Sequence, residues 1–170
     1  VLGGEPMLRP NVLKAAGNIF DTSLVFTNGT LGFPHIPTGI WQLSLDGDQK
    51  IHDKIRGKGV YQRIIDNLPQ ATNTVVAHVT INSLNYRIIP EMITNLSNSN
   101  LNGIIFSFYF GCKNAKMDEL FLPLEKRDSV LDNILELKKE YGDFIFATER
   151  FCYYFRPNGG YLAWNSKEKC

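Results

Sequence analysis

Short loops of glycine, hydroxyl, amide and charged residues recur along this chain, each directly after an apolar run. GGEP (3–6) follows Val1 and Leu2, and TNGT (27–30) follows SLVF. SLDG (44–47) closes GIWQLSL, NSLN (82–85) follows TVVAHVTI, and GCKN (111–114) follows GIIFSFYF. Glycines such as Gly3 and Gly4 let a backbone approach a ligand without side-chain obstruction, and Pro6 fixes the exit from that turn. Ser44 supplies a hydroxyl and Arg56, a few residues on, a guanidinium suited to a carboxylate. Each has a plainer reading. Gly, Asn and Asp are turn formers, and Asp46-Gly47 is a turn pair. The Ser44 hydroxyl could bond to backbone, and Arg56 could be solvated or paired with Asp53.

The elements that must position these loops are legible from periodicity. The five apolar runs at 23–26, 39–45, 74–81, 103–110 and 143–147 are rich in β-branched and aromatic residues, as strands are. Over 127–141, Val130, Ile134, Leu137 and Tyr141 recur at helical spacing, with Gly142 placed to stop the helix. Segments 60–68 and 87–97 are compatible with helices. Strand–helix alternation predicts an α/β fold with a parallel sheet, and such sheets collect chemistry at the carboxyl ends of their strands. The loops above then share one rim. On the 103–110 run, period 2 puts Ser107 and Tyr109 on one face and Phe106, Phe108 and Phe110 on the other, without saying which faces the helices.

Composition narrows the function classes. With 44% apolar and 21% charged residues, 170 residues suit one compact domain with a core. A formal net charge of +1 gives no electrostatic case for nucleic acid, and no apolar run approaches a membrane span. With no signal-like start, the expected compartment is the cytoplasm. Cys112, Cys152 and Cys170 are too few and too widely spaced for a disulfide framework or a local metal motif, and His35, His52 and His78 are dispersed, so no metal ligand is assigned.

Taken together, GGEP, TNGT, SLDG and HDKIRGKGVYQRIIDNL (52–68) resemble, in order and spacing, the radical S-adenosylmethionine enzyme superfamily, over residues 1 to about 110. The resemblance implies a partial (β/α)6 TIM-like barrel lacking its first strand–helix unit, with strands two to six in 1–117. Residues 118–170 would form a C-terminal extension with a helix, a strand and a possible hairpin (CYYF, RPNGG, YLAW). It further implies that Val1 and Leu2 end the second strand of such a barrel and that the CxxxCxxC loop, which holds a [4Fe–4S] cluster, lies upstream of this chain. The implied function is binding of S-adenosylmethionine and, in the parent protein, its cleavage to a 5′-deoxyadenosyl radical. An electron donor and an unknown small-molecule, lipid or peptide substrate would be the partners. The implied cofactor contacts are Gly3, Gly4, Glu5 and Pro6, with the backbone meeting the ligand ammonium. Thr27 and Asn28 would face the cofactor, Ser44 and Arg56 its carboxylate, and Thr80 and Asn82 the ribose and adenine, with Ser107, Tyr109 and Gly111 nearby. The extension is loosely similar to radical S-adenosylmethionine proteins of hopanoid-pathway type or, through Cys152 and Cys170, to auxiliary-cluster domains. Two other readings stay open: a degenerate, non-catalytic nucleoside-binding barrel module, and a cluster-free enzyme using its loops to bind anions.

Overall fold

The β-branched and aromatic runs pair as parallel strands in a computed structural model that describes residues 4–110 and 119–159. They are β1 (Ser23–Thr27), β2 (Gly39–Ser44), β3 (Thr74–Ile81) and β4 (Gly103–Phe108). Their order in space is their order in sequence. Register fixes which side chains share a face. Val25 lies beside Trp41 and Trp41 beside Val75; Leu43 lies beside Ala77 and Ala77 beside Ile104; Phe106 pairs with Val79 and Phe108 with Ile81. All of these are buried.

Parallel strands in sequential order need a crossover between each pair, and crossovers of one hand put every helix on the same face of the sheet. The helices are α1 (Pro10–Ile19), α2 (Gln49–Arg56), α3 (Val60–Asn67), α4 (Ile89–Ser97), α5 (Arg127–Tyr141) and α6 (Glu149–Phe155). Leu13, Ile64, Ile93 and Leu131 from four of them join the strand residues in one core. The C-terminal segment belongs to that core too, through Leu122, Ile134, Ile145 and Cys152. Helix α5 has the span that its periodicity predicts and stops at Gly142, whose φ of +54° suits glycine. The break between α2 and α3 falls at Gly57 and Gly59, both at positive φ. Helix α1 lies in a stretch to which the sequence reading gave no element.

Two C-terminal expectations are corrected. The run at 143–147 is not a full fifth strand: it makes one parallel bridge, Ile104 to Ile145, with the Phe146 amide donating to the Ile104 carbonyl at 2.8 Å. The Lys138 ammonium donates to the Ile145 carbonyl at 2.6 Å, which takes an acceptor that a longer ladder would use. CYYF, expected as the first arm of a hairpin, is part of α6. Thr148 caps that helix by accepting from the Phe151 amide at 3.1 Å, and Phe151 and Phe155, one turn apart, pack with ring centroids 4.9 Å apart. The expected second arm, YLAW, lies outside the described residues, as do Gly3, Gly111, Cys112 and Cys170. No helix among the described residues is long and apolar enough to cross a membrane.

Candidate binding site on the open sheet face

Because the strands are parallel, their carboxyl ends form one rim, and TNGT, SLDG and NSLN leave from it. GGEP joins them through Glu5. Its carboxylate accepts from the Thr27 hydroxyl at 2.9 Å, the Asn28 amide at 2.9 Å and the Met7 amide at 3.0 Å. Thr27 in turn accepts from the Gly29 amide at 3.0 Å, and Asn28 Oδ1 accepts from the Thr30 amide at 2.9 Å. Gly29 sits at φ +73°, and a Cβ there would lie 2.6 Å from Leu43 Cδ1, so this turn requires glycine. Glu5 and Thr27 are therefore committed to joining two loops. Pro6 is buried at the start of a 3-10 turn, while exposed Gly4, at φ +39°, has open space where a Cβ would sit.

Asp46 organises the next part of the rim. Only 1% exposed, it accepts from the Thr80 amide at 3.0 Å through Oδ1 and from Arg56 Nε at 2.7 Å through Oδ2. Its own amide donates to His52 Nδ1 at 3.1 Å, and its carbonyl accepts from Asn85 Nδ2 at 2.8 Å. Arg56 is thus ion-paired with Asp46 rather than with Asp53. Asp53 instead accepts from the Gly59 and Tyr61 amides at 2.7 and 2.9 Å. Those amide bonds, Tyr61's foremost, hold its carboxyl below the usual carboxylate range. Asn82 is also committed: its side chain accepts from the Leu84 amide and donates to the Thr80 carbonyl, both at 2.9 Å, and it is 2% exposed.

The sheet face opposite the helices is apolar toward the amino ends of the strands (Leu24, Ile40, Val76, Ile105) and carries polar, half-buried residues toward their carboxyl ends. Phe26 and Gln42 lie side by side on it, as do Ser44 and His78, and Thr80 and Ser107. Alternation settles the question left open by the sequence: Phe106 and Phe108 go to the helices, and Ser107 to the open face. His78 Nε2 and the Ser107 hydroxyl are 3.1 Å apart, and Ser107 donates to Thr80 Oγ1 at 3.5 Å. The Phe26 ring meets His78 edge-on at 5.9 Å. Gln42 Oε1 is buried with no hydrogen-bond partner, which is a costly state for an acceptor. Burial pushes the His78 imidazole below its ordinary pKa; Asp46 opposes that shift and Arg56 adds to it, so the ring is neutral at pH 7. Arg56 thus stands within electrostatic reach of this face, held at Nε with the other edge of its guanidinium free of ion pairs among the described residues.

Of the residues expected to touch a cofactor, the structure brings Ser44, Thr80 and Arg56 to one place and places Glu5, Thr27, Asn28 and Asn82 in loop closure. Sequence reasoning passed over Phe26 and Gln42 and set His78 aside as one of three dispersed histidines. A usable signal was present: polar residues two apart in otherwise apolar strands, as in Gln42/Ser44 and His78/Thr80. The assembled face offers hydrogen-bond donors and acceptors, a neutral imidazole and one cation at its mouth, a set suited to a polar ligand carrying an anionic group. Among the described residues, no group of three or more His, Cys, Asp or Glu could hold a metal ion. No protein-family model matches the chain, and no curated protein matches it.

Proposed function

We propose that this chain is a sector of a radical S-adenosylmethionine barrel whose open sheet face binds S-adenosylmethionine. The single observation that carries the proposal is the meeting of Glu5, TNGT, SLDG and NSLN on one rim above the polar carboxyl-end part of the open sheet face. A four-stranded parallel sheet in sequential order is also what a barrel sector requires.

The residues of this face fit the cofactor's polar ends. The ligand carboxylate is matched by the outer edge of Arg56, pre-oriented by Asp46, and by the Ser44 hydroxyl. Hydroxyl groups of the nucleoside would meet Thr80, Ser107 and His78, which lie together toward the carboxyl end of the open face. In that superfamily the bound cofactor supplies a 5′-deoxyadenosyl radical after one-electron reduction by an iron–sulfur cluster. The cysteines here do not fit such a cluster. Cys152, the only cysteine among the described residues, is 1% exposed, and burial raises its thiol pKa, whereas three neighbouring thiolates are required. What this chain's own residues can do is bind and orient the cofactor.

Titration calorimetry of the 170-residue chain with S-adenosylmethionine tests this. Binding is expected, with Ser44→Ala and Arg56→Lys each weakening it by roughly 1–3 kcal/mol, the cost of a lost bond to a charged group. Unchanged affinity in both variants would make these residues structural, and absence of binding would remove the proposal. The second reading is a degenerate, non-catalytic nucleoside-binding module. Adenosine binding as tightly as S-adenosylmethionine, and indifferent to Arg56→Lys, would select it.

A further inference from the structure

His52 closes the SLDG turn with a bond that only its neutral ring can make. It lies within α2, is 1% exposed, and accepts from the Asp46 amide through Nδ1 at 3.1 Å. An accepting Nδ1 is a bare nitrogen, so the ring carries its proton on Nε2. Nε2 is buried with no hydrogen-bond partner among the described residues. The ring thus makes one bond and leaves a donor unmet, a cost that an acceptor serving packing alone would avoid.

The bond spans a tightly built turn. Asp48 caps α2 by accepting from the Ile51 amide at 2.8 Å, and a Cβ on Gly47 would lie 2.9 Å from that of Ile51. Backbone packed so closely passes a shift at the Asp46 amide on to the Asp46 side chain. That side chain holds the Thr80 amide at 3.0 Å and Arg56 Nε at 2.7 Å. His52 therefore stands one bond behind the anchor of the rim.

With Nε2 already protonated, the ring can take up a second proton only at Nδ1. The new N–H would point at the Asp46 N–H, donor against donor, and the bond is lost. Burial is the strongest influence against the charged ring; Asp46 on the turn and Asp53 on α2 favour it, and Arg56 opposes it. From α3 the Tyr61 ring, itself within electrostatic reach of Asp48, meets the imidazole edge-on at 6.0 Å. An imidazolium here would also compete with Arg56 for the Asp46 carboxylate.

We propose that His52 is the positioning residue of this rim and its proton-operated latch: the neutral, Nε2-protonated ring fixes Asp46, and proton uptake at Nδ1 frees Asp46 from Thr80 and Arg56. The consequence for ligand binding rests on the reading of this rim as the site of a ligand carboxylate. The latch itself does not, and its test uses the ligand-free chain.

That test is NMR of the 170-residue chain. At about pH 7.5, long-range proton–nitrogen spectra should show His52 protonated on Nε2 and bare on Nδ1. Between about pH 8 and pH 5.5, the Asp46 amide, the Thr80 amide and the Arg56 Nε–H should shift together, with one midpoint below about 6.5. His52→Asn brings a carboxamide oxygen close to the place of Nδ1, an acceptor that does not titrate. It should keep the three signals near their wild-type positions at neutral pH and abolish their joint shift, whereas His52→Leu should displace them throughout. His78→Gln, which removes the neighbouring titration on β3, should leave the joint shift in place. A proton on Nδ1 in the wild type would overturn the proposal. So would a joint shift that survives in His52→Asn or vanishes in His78→Gln, or wild-type positions in His52→Leu. Where a variant fails to fold, the wild type decides alone: three signals that move independently, or not at all, overturn the latch.

Discussion

The Asp46 carboxylate bridges two elements that the chain holds far apart, accepting from the Thr80 amide at the end of β3 and from Arg56 Nε at the end of α2. With the Asp46 side chain 2% exposed and that of Arg56 38%, the acid is the buried partner and the base the accessible one. The carboxylate therefore serves as a fixed anchor, and the guanidinium is the partner that solvent reaches.

Asp46→Asn should cost about 1–3 kcal/mol of stability, because the amide keeps one acceptor but leaves either Thr80 N–H or Arg56 without its partner. Urea denaturation of the purified variant measures this. A loss confined to a few tenths of a kcal/mol would show that the rim holds together without the bridge.

Acid should destabilise the fold before most carboxylates titrate. Burial depresses the pKa of both His52 and His78 below their ordinary value of about 6.5. Below that value the unfolded chain takes up protons at these sites and the folded chain does not, so stability falls as the pH drops from about 6.5 toward the folded pKa values. Urea midpoints should decline between about pH 7 and pH 5, and His78→Gln should make the decline shallower. An equal slope in the variant would mean that His78 does not carry the dependence.

Much of the fold was legible because its signals are local. Four apolar runs became strands, and α5 was readable from the spacing of Val130, Ile134 and Tyr141 with Gly142 behind them. The run at 143–147 misled because its apolarity is real but its hydrogen bonds are not a ladder: the Ile145 carbonyl goes to Lys138, a choice made by tertiary contact. CYYF misled because an aromatic run fits a strand or one face of a short helix, and the decision rests on the cap at Thr148. Ser44, Thr80 and Arg56 stood out by type and position, and the structure sets the first two on the open face and ties the third to Asp46. The commitment of Glu5 and Asn82 to loop closure was not, since it depends on which amides come within reach after folding. The Asp46–Arg56 pair was missed in favour of the nearer acid, Asp53, whose carboxylate is drawn to the Gly59 and Tyr61 amides.

The most direct test of the open face as the binding surface is amide and side-chain chemical-shift mapping of the 170-residue chain during titration with S-adenosylmethionine. Shifts are expected at Gln42, Ser44, His78, Thr80, Ser107 and the Arg56 guanidinium, with the helix-facing Val79 and Phe106 much less affected. Perturbations confined to the helix layer, or none at saturating ligand, would contradict the account.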